Sequence, residues 1–536
     1  MKLGAMDYLL PGKTPGEMFT LAKSLGFHGV EINLHREHLR SDNGRLVQIK
    51  NASEATGVEV SSLVLGEHNY GGVSSSDQDV VSQAKEDIKA AIGWARELGA
   101  SIILVPFFGK GEIITQGDFE RAVEAFRELC PEAEAFGIKL CYEGTLPAQR
   151  IKEMASAVGS PAGFGCYFDL ANVVWRGLDT ATEIRTLGSL VSQVHIKDCL
   201  AGTGDCHPGH GFVDFAESSK ALREIGFDGW LVLETPASPP PIVQRDATFA
   251  RKWFPEVGLP EWPQFGAFTW DYQPEDWSKL VEDFVSYGLK YVQLSGPLLT
   301  SALASDSGYA SALDYLKNSE LSVAAIGAYR NLVAPDDERR RENIDFLKRC
   351  IEAAPGLGTY VVATETGSCN PESDWLPTQL NKTEQAWNML LDALDELVPV
   401  AKENNVVLAL EGYVNNVLYN FCQIEALNRR YYDDNLQLVL DPYNYISSYL
   451  LPAHERLTQG FLFRFESSFV LAHLKDVSAK GAEVETPEFG AGVFRQQPYL
   501  EFLRTQRFDL PLILEHLPMD HIPSVIKQVL SITDQN

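Results

Sequence analysis

Leu140-Cys141-Tyr142-Glu143-Gly144 and Leu408-Ala409-Leu410-Glu411-Gly412 are short apolar runs, each closed by a glutamate and a glycine, and they lie 268 residues apart. Runs of this length bounded by a turn residue fit strands buried on both faces. Three more polar residues end later apolar runs in each half, in the same order. In the first half they are Asp169 in Tyr167-Phe168-Asp169-Leu170-Ala171-Asn172, His195 in Val194-His195-Ile196-Lys197-Asp198, and Glu234 in Leu231-Val232-Leu233-Glu234. In the second they are Asp441 in Leu440-Asp441-Pro442-Tyr443-Asn444, His473 in Ala472-His473-Leu474-Lys475-Asp476, and Glu515 in Leu512-Ile513-Leu514-Glu515. The partners are offset by 268, 272, 278 and 281 residues, a slow drift that loop insertions in one duplicated unit produce.

Outward from these runs, the first half carries eight candidate strands: Lys2 to Met6, Gly29 to Asn33, Val58 to Val64, Ser101 to Pro106, Ile138 to Glu143, Phe164 to Asp169, Ser192 to Lys197 and Trp230 to Glu234. Between them lie stretches of helical period, such as Pro15 to Leu25, Asp79 to Leu98 and Asp118 to Phe136, most of them followed by a C-capping Gly. The second half repeats the plan at Phe265 to Thr269, Lys290 to Leu294, Ser322 to Ile326, Tyr360 to Thr364, Val406 to Glu411, Gln437 to Asp441, Val470 to Lys475 and Leu512 to Glu515. Eightfold strand–helix alternation predicts an α/β chain of two tandem (β/α)8 TIM barrels. The expected division is residues 1–254 for the first barrel, 255–263 for a stiff, extended connector with three prolines, and 264–536 for the second barrel.

Composition bounds the function. At 536 residues the chain is long enough for two cores, and a net charge of −28 opposes a polyanionic partner, so nucleic acid is not an expected ligand. No run of 18 apolar residues predicts a membrane span, and Met1-Lys2-Leu3-Gly4-Ala5-Met6-Asp7 breaks too early for a signal peptide, so the expected address is the cytoplasm. The eight cysteines form no Cys-x-x-Cys pair and read as reduced and structural.

In a barrel of this kind, residues at the C-terminal ends of strands build the active face. Three carboxylates and an imidazole converging there repel one another when bare, whereas a divalent cation neutralises them and gains four ligands. A lone strand-end acid is usually a helix cap or an ion-pair partner, but neither role requires the same four residue types at the same four strands twice. The expected cofactor is one divalent ion per barrel: Mn2+ first, with Mg2+, Co2+ and Zn2+ as alternatives.

On these residues both halves resemble the sugar phosphate isomerase/epimerase superfamily with the xylose isomerase-like barrel. The His-x-Lys-Asp tails His195 to Asp198 and His473 to Asp476 also resemble that family, as do the loops Gly209-His210-Gly211 and Gly490-Ala491-Gly492. The resemblance implies that Glu143, Asp169, His195 and Glu234, and likewise Glu411, Asp441, His473 and Glu515, hold the cation. It implies isomerase or epimerase chemistry on a sugar or keto-sugar, phosphorylated or free, through a metal-stabilised enediolate. Glu143 and Glu234, or Glu411 and Glu515, would take and return the proton.

Lys197, His207 and His210 in the first barrel and Lys475 in the second are candidate acids or substrate contacts, with His68, Lys110, Trp175 and Arg330 completing the expected substrate-binding set. His207 and His210 also suggest a second metal, which the Glu488 and Ala491 of the second half do not repeat. Gly202-Thr203-Gly204 is a weak candidate phosphate loop, and Trp175 and Trp375 are candidate stacking platforms. The halves differ after strand two (Glu31 against Gln293), strand three (His68 against Arg330) and strand four (Phe107-Phe108-Gly109-Lys110 against Glu365-Thr366-Gly367-Ser368). Two rival readings stand beside the isomerase: a metal-dependent lyase or dehydratase of a keto-sugar or keto-cyclitol, and a non-catalytic sugar-binding protein. An apurinic endonuclease fits worse, because 11 histidines and an acidic chain suit neither a three-zinc cluster nor DNA. The expected partner is a small sugar or cyclitol, and the expected assembly a monomeric pseudo-dimer or a homo-oligomer.

Overall fold

The computed structural model describes residues 1–41, 44–200, 204–431, 434–481 and 483–533. In the first half the strands are β1 (Lys2–Met6), β2 (Gly29–Asn33), β3 (Glu59–Val64), β4 (Ile102–Phe107), β5 (Lys139–Gly144), β6 (Phe164–Asp169) and β7 (Val191–Ile196), then a hairpin of β8 (Asp198–Leu200) and β9 (Gly204–Cys206), and finally β10 (Trp230–Leu233). All but the hairpin pair in parallel, and β1 bonds to both β2 and β10, which closes the barrel. The second half repeats this with β11 (Phe265–Phe268), β12 (Tyr291–Leu294), β13 (Ser322–Gly327), β14 (Val361–Glu365), β15 (Val407–Glu411), β16 (Leu436–Leu440), β17 (Phe469–Leu474), the hairpin β18 (Ser478–Lys480) and β19 (Glu483–Glu485), and β20 (Leu512–Leu514). Strand limits read from the sequence lie within one residue of these at both ends.

Helices cover the outside of each sheet, as parallel strands require. The helix Gln78–Leu98 shows how local sequence sets one. Asp77 caps its start by accepting the Asp79 N–H, Val81, Ala84, Ile88, Ala91 and Ala95 form its buried stripe, and Gly99 at φ +73° ends it. Thr115 and Asp118 form a reciprocal capping box at the start of the helix Gln116–Glu134.

Contacts divide the chain into one unit of Met1–Ala237 with Asp246–Leu259 and another of Ser238–Arg245 with Pro260–Asn536. In the second unit Ile242 joins the barrel-interior cluster of Phe268, Ala325, Ala363, Ala409 and Ile513. The expected extended connector differs at its start: Pro255–Val257 is a 3-10 turn, because the fixed φ of Pro255 suits the first helical position, and Gly258 at φ +90° ends it. All eight cysteines are free and seven are buried. Among the described residues no helix is long and apolar enough to cross a membrane.

Candidate functional site

Each barrel brings its four repeated residues to one point. Glu143, Asp169, His195 and Glu234 each offer a ligand atom, all within 4.8 Å of one another, and Glu411, Asp441, His473 and Glu515 do the same. Strand register produces this. Asp169 on β6 sits opposite His195 on β7, and Val232 on β10 sits opposite His195 two residues before Glu234.

In the first barrel His195 Nδ1 lies 3.0 Å from Glu143 Oε1 and 3.1 Å from Glu234 Oε2, while its Nε2 lies 2.8 Å from Glu31 Oε1. Glu31 is itself buried in the barrel interior, accepting hydrogen bonds from Ser62 and Tyr167. Asp169 has two jobs. Its Oδ1 caps the helix Leu170–Trp175 by accepting the N–H groups of Ala171 and Asn172 at 2.7 and 2.8 Å, which leaves the buried Oδ2 without a hydrogen bond. Lys197 Nζ lies 3.3 Å from Glu234, 3.9 Å from Asp169 and 3.2 Å from Asp205 on the hairpin.

In the second barrel His473 Nδ1 is 3.4 Å from Glu411 and 3.6 Å from both Asp441 and Glu515, yet it makes no hydrogen bond. Its Nε2 lies 3.0 Å from the amide oxygen of Gln293. Lys475 Nζ is 2.8 Å from both Asp441 and Glu515. Glu411 accepts hydrogen bonds from Tyr329 at 2.9 Å and Asn444 at 2.5 Å.

Burial and charge compete in both clusters. Burial raises the Glu143 and Glu411 carboxyls above their ordinary values, and it pushes Asp169 up to about 7 against the pull of Lys197. Burial works the same way on Glu234 and Glu515, but His195 and Lys197, or Lys475 and His473, overcome it and hold these two carboxyls well below the usual range. Burial would lower both imidazoles. The surrounding carboxylates reverse this, raising His195 well above its ordinary value and His473 to about 10. Each cluster thus holds more negative charge than its own lysine and imidazole balance comfortably. The orphaned Asp169 Oδ2 and His473 Nδ1 point into the middle of such sets, and oxygen-rich donors with one nitrogen suit a divalent cation.

A cavity of about 480 Å³ opens over the first cluster, lined by Glu143, His195, Lys197, Trp175, Asp205 and Glu234 together with Tyr8, Asn33 and Asn172. One of about 610 Å³ opens over the second, lined by Lys475, Glu515, Glu365, Trp375, Asn444 and His516 among others. Lys197 and Trp175 line the first cavity and Lys475 the second. His68, Lys110, His207, His210 and Arg330 do not line these cavities. The buried His68 lies 3.6 Å from Asp87, and His207 Nδ1 lies 2.7 Å from Asp246 on the helix Pro240–Trp253. The His210 ring stands edge-on to His207, Arg330 stacks over Phe346 at 4.1 Å, and Lys110 is exposed beyond β4. Gly202 and Thr203 lie outside the described residues, while Gly204 reaches the first cavity wall.

Sequence reasoning missed the roles of Glu31 and Gln293 behind the histidines, and of Asn172 and Asn444. The asparagines had a signal, standing three residues after the aspartate in both halves. Glu365 also had one. It ends β14 opposite Glu411, and burial together with Glu411 pushes its carboxyl up to about 8.

The aspartate of the His-x-Lys-Asp tail is a structural clamp. Asp198 accepts the N–H groups of Cys199, Gly209, Gly211 and Val213 at 2.8 to 3.1 Å, and Asp476 accepts those of Val477, Gly490, Gly492 and Phe494 at 2.8 to 3.3 Å. The loop after each seventh barrel strand is thereby tied to the base of the lysine that enters the cavity.

Compared with known proteins, residues 19–253 and 281–533 each match the sequence model of the family described as xylose isomerase-like TIM barrel. The chain is 32% identical over 190 residues to a 2-epi-5-epi-valiolone 7-phosphate 2-epimerase of Actinoplanes sp., covering 34% of this chain and 68% of the relative. It is 26% identical to L-ribulose-5-phosphate 3-epimerase UlaE of Escherichia coli K12, covering 47% of this chain and 93% of the relative. Among solved structures, that of 3-keto-D-glucoside 4-epimerase YcjR from E. coli aligns with 47% of this chain and 99% of its own, at a TM-score of 0.41 and 18% identity.

Proposed function

The chain belongs, in both halves, to the xylose isomerase-like TIM barrel family, and from that membership we propose that it is a divalent-metal-dependent epimerase or isomerase acting beside the carbonyl of a sugar or keto-sugar. One observation carries the reading: in each barrel two glutamates flank a buried aspartate–histidine pair beneath an open cavity. The curated relatives named above are sugar-type epimerases, which supports an enzyme acting on sugars.

In this reading Glu143, Asp169, His195 and Glu234 hold one ion, and Glu411, Asp441, His473 and Glu515 hold the other, with Mn2+ first among the candidates. When bound, such an ion would supply positive charge beside the carbonyl oxygen of the substrate. The residues of the chain do the rest. Glu143 or Glu411 takes the proton from the carbon beside the carbonyl, and Glu234 or Glu515 returns one. Return to the opposite face of the same carbon gives an epimer; return to its neighbour gives the aldose–ketose isomer. Lys197 and Lys475, whose ammonium charge the surrounding carboxylates favour, donate hydrogen bonds to substrate oxygens. Trp175 and Trp375, which line the two cavities, offer an aromatic face to the sugar.

The proposed domains are residues 1–254 and 264–536 joined by 255–263, and the proposed assembly is a monomeric pseudo-dimer or a homo-oligomer. A cytoplasmic address accords with the free cysteines.

A lyase is the second reading, and Glu365 favours it for the second barrel. Glu365 lines the second cavity, burial and the neighbouring Glu411 raise its carboxyl above the ordinary value, and a protonated carboxyl there can protonate a departing β-hydroxyl. Product analysis in D2O separates the two. Incubated with ketoses, keto-sugars and their phosphates, an epimerase or isomerase yields a product of unchanged formula with deuterium beside the carbonyl, whereas a lyase product has lost water. Binding without exchange leaves only the sugar-binding reading.

A further inference from the structure

The two clusters share their four ligand residues and differ in what stands behind them, and both differences act in the same direction. In the first barrel a carboxylate backs the histidine: Glu31 Oε1 is 2.8 Å from His195 Nε2. Glu31 is completely buried and fixed by Ser62 and Tyr167. A carboxylate there accepts the Nε2 proton, fixes the tautomer with Nδ1 facing the cluster, and makes that nitrogen a stronger donor. In the second barrel the same place is taken by the neutral amide of Gln293, 3.0 Å from His473 Nε2, whose own Nε2 donates to Tyr329 at 3.1 Å. An amide oxygen fixes the tautomer too but adds no negative charge.

The lysine is the second difference. Lys475 is seated between two of the ligand carboxylates, 2.8 Å from each of Asp441 and Glu515, and also donates to Asn444 at 3.0 Å. Among the described residues those two acids are its only ion-pair partners. Lys197 stands farther off, 3.9 Å from Asp169 and 3.3 Å from Glu234, and has Asp205 on the hairpin as an alternative partner at 3.2 Å. A divalent cation entering the second cluster must displace a buried ammonium from two of its ligands, whereas in the first Lys197 can turn to Asp205. The second cluster has one further acid nearby, Glu365, which ends β14 opposite Glu411; its carboxylate accepts a hydrogen bond from Asn416 at 2.6 Å and, among the described residues, shares no hydrogen bond or ion pair with the four ligand residues.

We propose that the two barrels form a metal-affinity hierarchy, the first binding its divalent ion at least about ten-fold more tightly than the second, with Glu31 in place of Gln293 and the seating of Lys475 as the causes. This inference rests on the metal-site reading above. A carboxylate behind a ligating histidine typically changes metal affinity by about 10–100-fold, and the lysine adds to that. At limiting ion the first barrel is therefore loaded while the second is held together by Lys475.

The test is calorimetric titration of chelator-stripped, full-length protein with Mn2+, alone and in single variants. The expected result is two classes of site at least ten-fold apart, the tighter lost in His195→Ala and the weaker in His473→Ala. If either alanine variant fails to fold by circular dichroism, Asp169→Asn and Asp441→Asn serve in its place. Gln293→Glu is expected to tighten the weaker site by about ten-fold or more, and Glu31→Gln to weaken the tighter one to a similar degree. Two equal sites, a tighter site lost in His473→Ala, or a Gln293→Glu protein with unchanged affinity would overturn the hierarchy while leaving both metal sites in place. No Mn2+ binding in either barrel would overturn the metal reading itself, and the hierarchy with it.

Discussion

The carboxylate of Asp198 accepts the backbone N–H of Gly211 at 2.8 Å, in a space with no room for a Cβ. A Cβ on Gly211 would lie 2.2 Å from Asp198 Oδ1 and 2.4 Å from the Cys199 carbonyl, and one on Gly492 would meet Asp476 Oδ1 at 2.1 Å. Gly211→Ala is therefore expected to destabilise the first unit by about 1–3 kcal/mol and to displace Lys197, lowering sugar turnover there. Urea unfolding and exchange kinetics check this; an unperturbed protein would show that the loop yields at no cost.

Asp7 gives a prediction about pH. Burial pushes its carboxyl up to about 6, against the N–H of Asn33, which it accepts at 3.1 Å. The folded carboxyl thus holds its proton more tightly than the unfolded one, whose ordinary value is 3.8, so unfolding releases a proton between the two values. Stability falls as pH rises from about 4 to about 6 and stays level above, by up to about 3 kcal/mol. Asp7→Asn keeps an acceptor for Asn33 without the charge and should flatten that slope and be more stable at pH 7. Denaturant midpoints across pH 4 to 8 measure it.

Removing metal is expected to lower thermal stability, since each cluster then keeps buried carboxylates that only a lysine and an imidazole offset. An ion present at about 100 times its Kd adds about 2.7 kcal/mol to the unit that binds it. Differential scanning calorimetry with and without chelator should show this loss in the wild type, and a smaller one in Asp169→Asn or Asp441→Asn.

The barrels were legible because strands buried on both faces announce themselves as apolar runs, and a polar residue at such a run's end stands out. All eight ligand candidates were found that way and the structure gathers them. The outer ring of the site was harder. His68 and Arg330 follow barrel strands like true site residues, but a helix acid, Asp87, and a helix ring, Phe346, face their side chains instead. Which way a loop residue turns depends on its packing partner, which the local pattern does not contain. Glu31 was seen as a difference between the halves, but its place behind His195 depends on β2 and β7 facing each other across the barrel interior, a relation between residues 164 positions apart.

The most direct test is exchange of the proton beside a ketose carbonyl in D2O, followed by proton NMR with chelator-stripped protein, metal-restored protein, and the metal-restored Glu143→Gln/Glu411→Gln double variant. The expected result is exchange in the restored protein alone, with the double variant slower by about 10²–10⁴-fold and still binding metal. Full exchange by the double variant, or by the stripped protein, would contradict proton transfer by these two glutamates at metal-dependent sites.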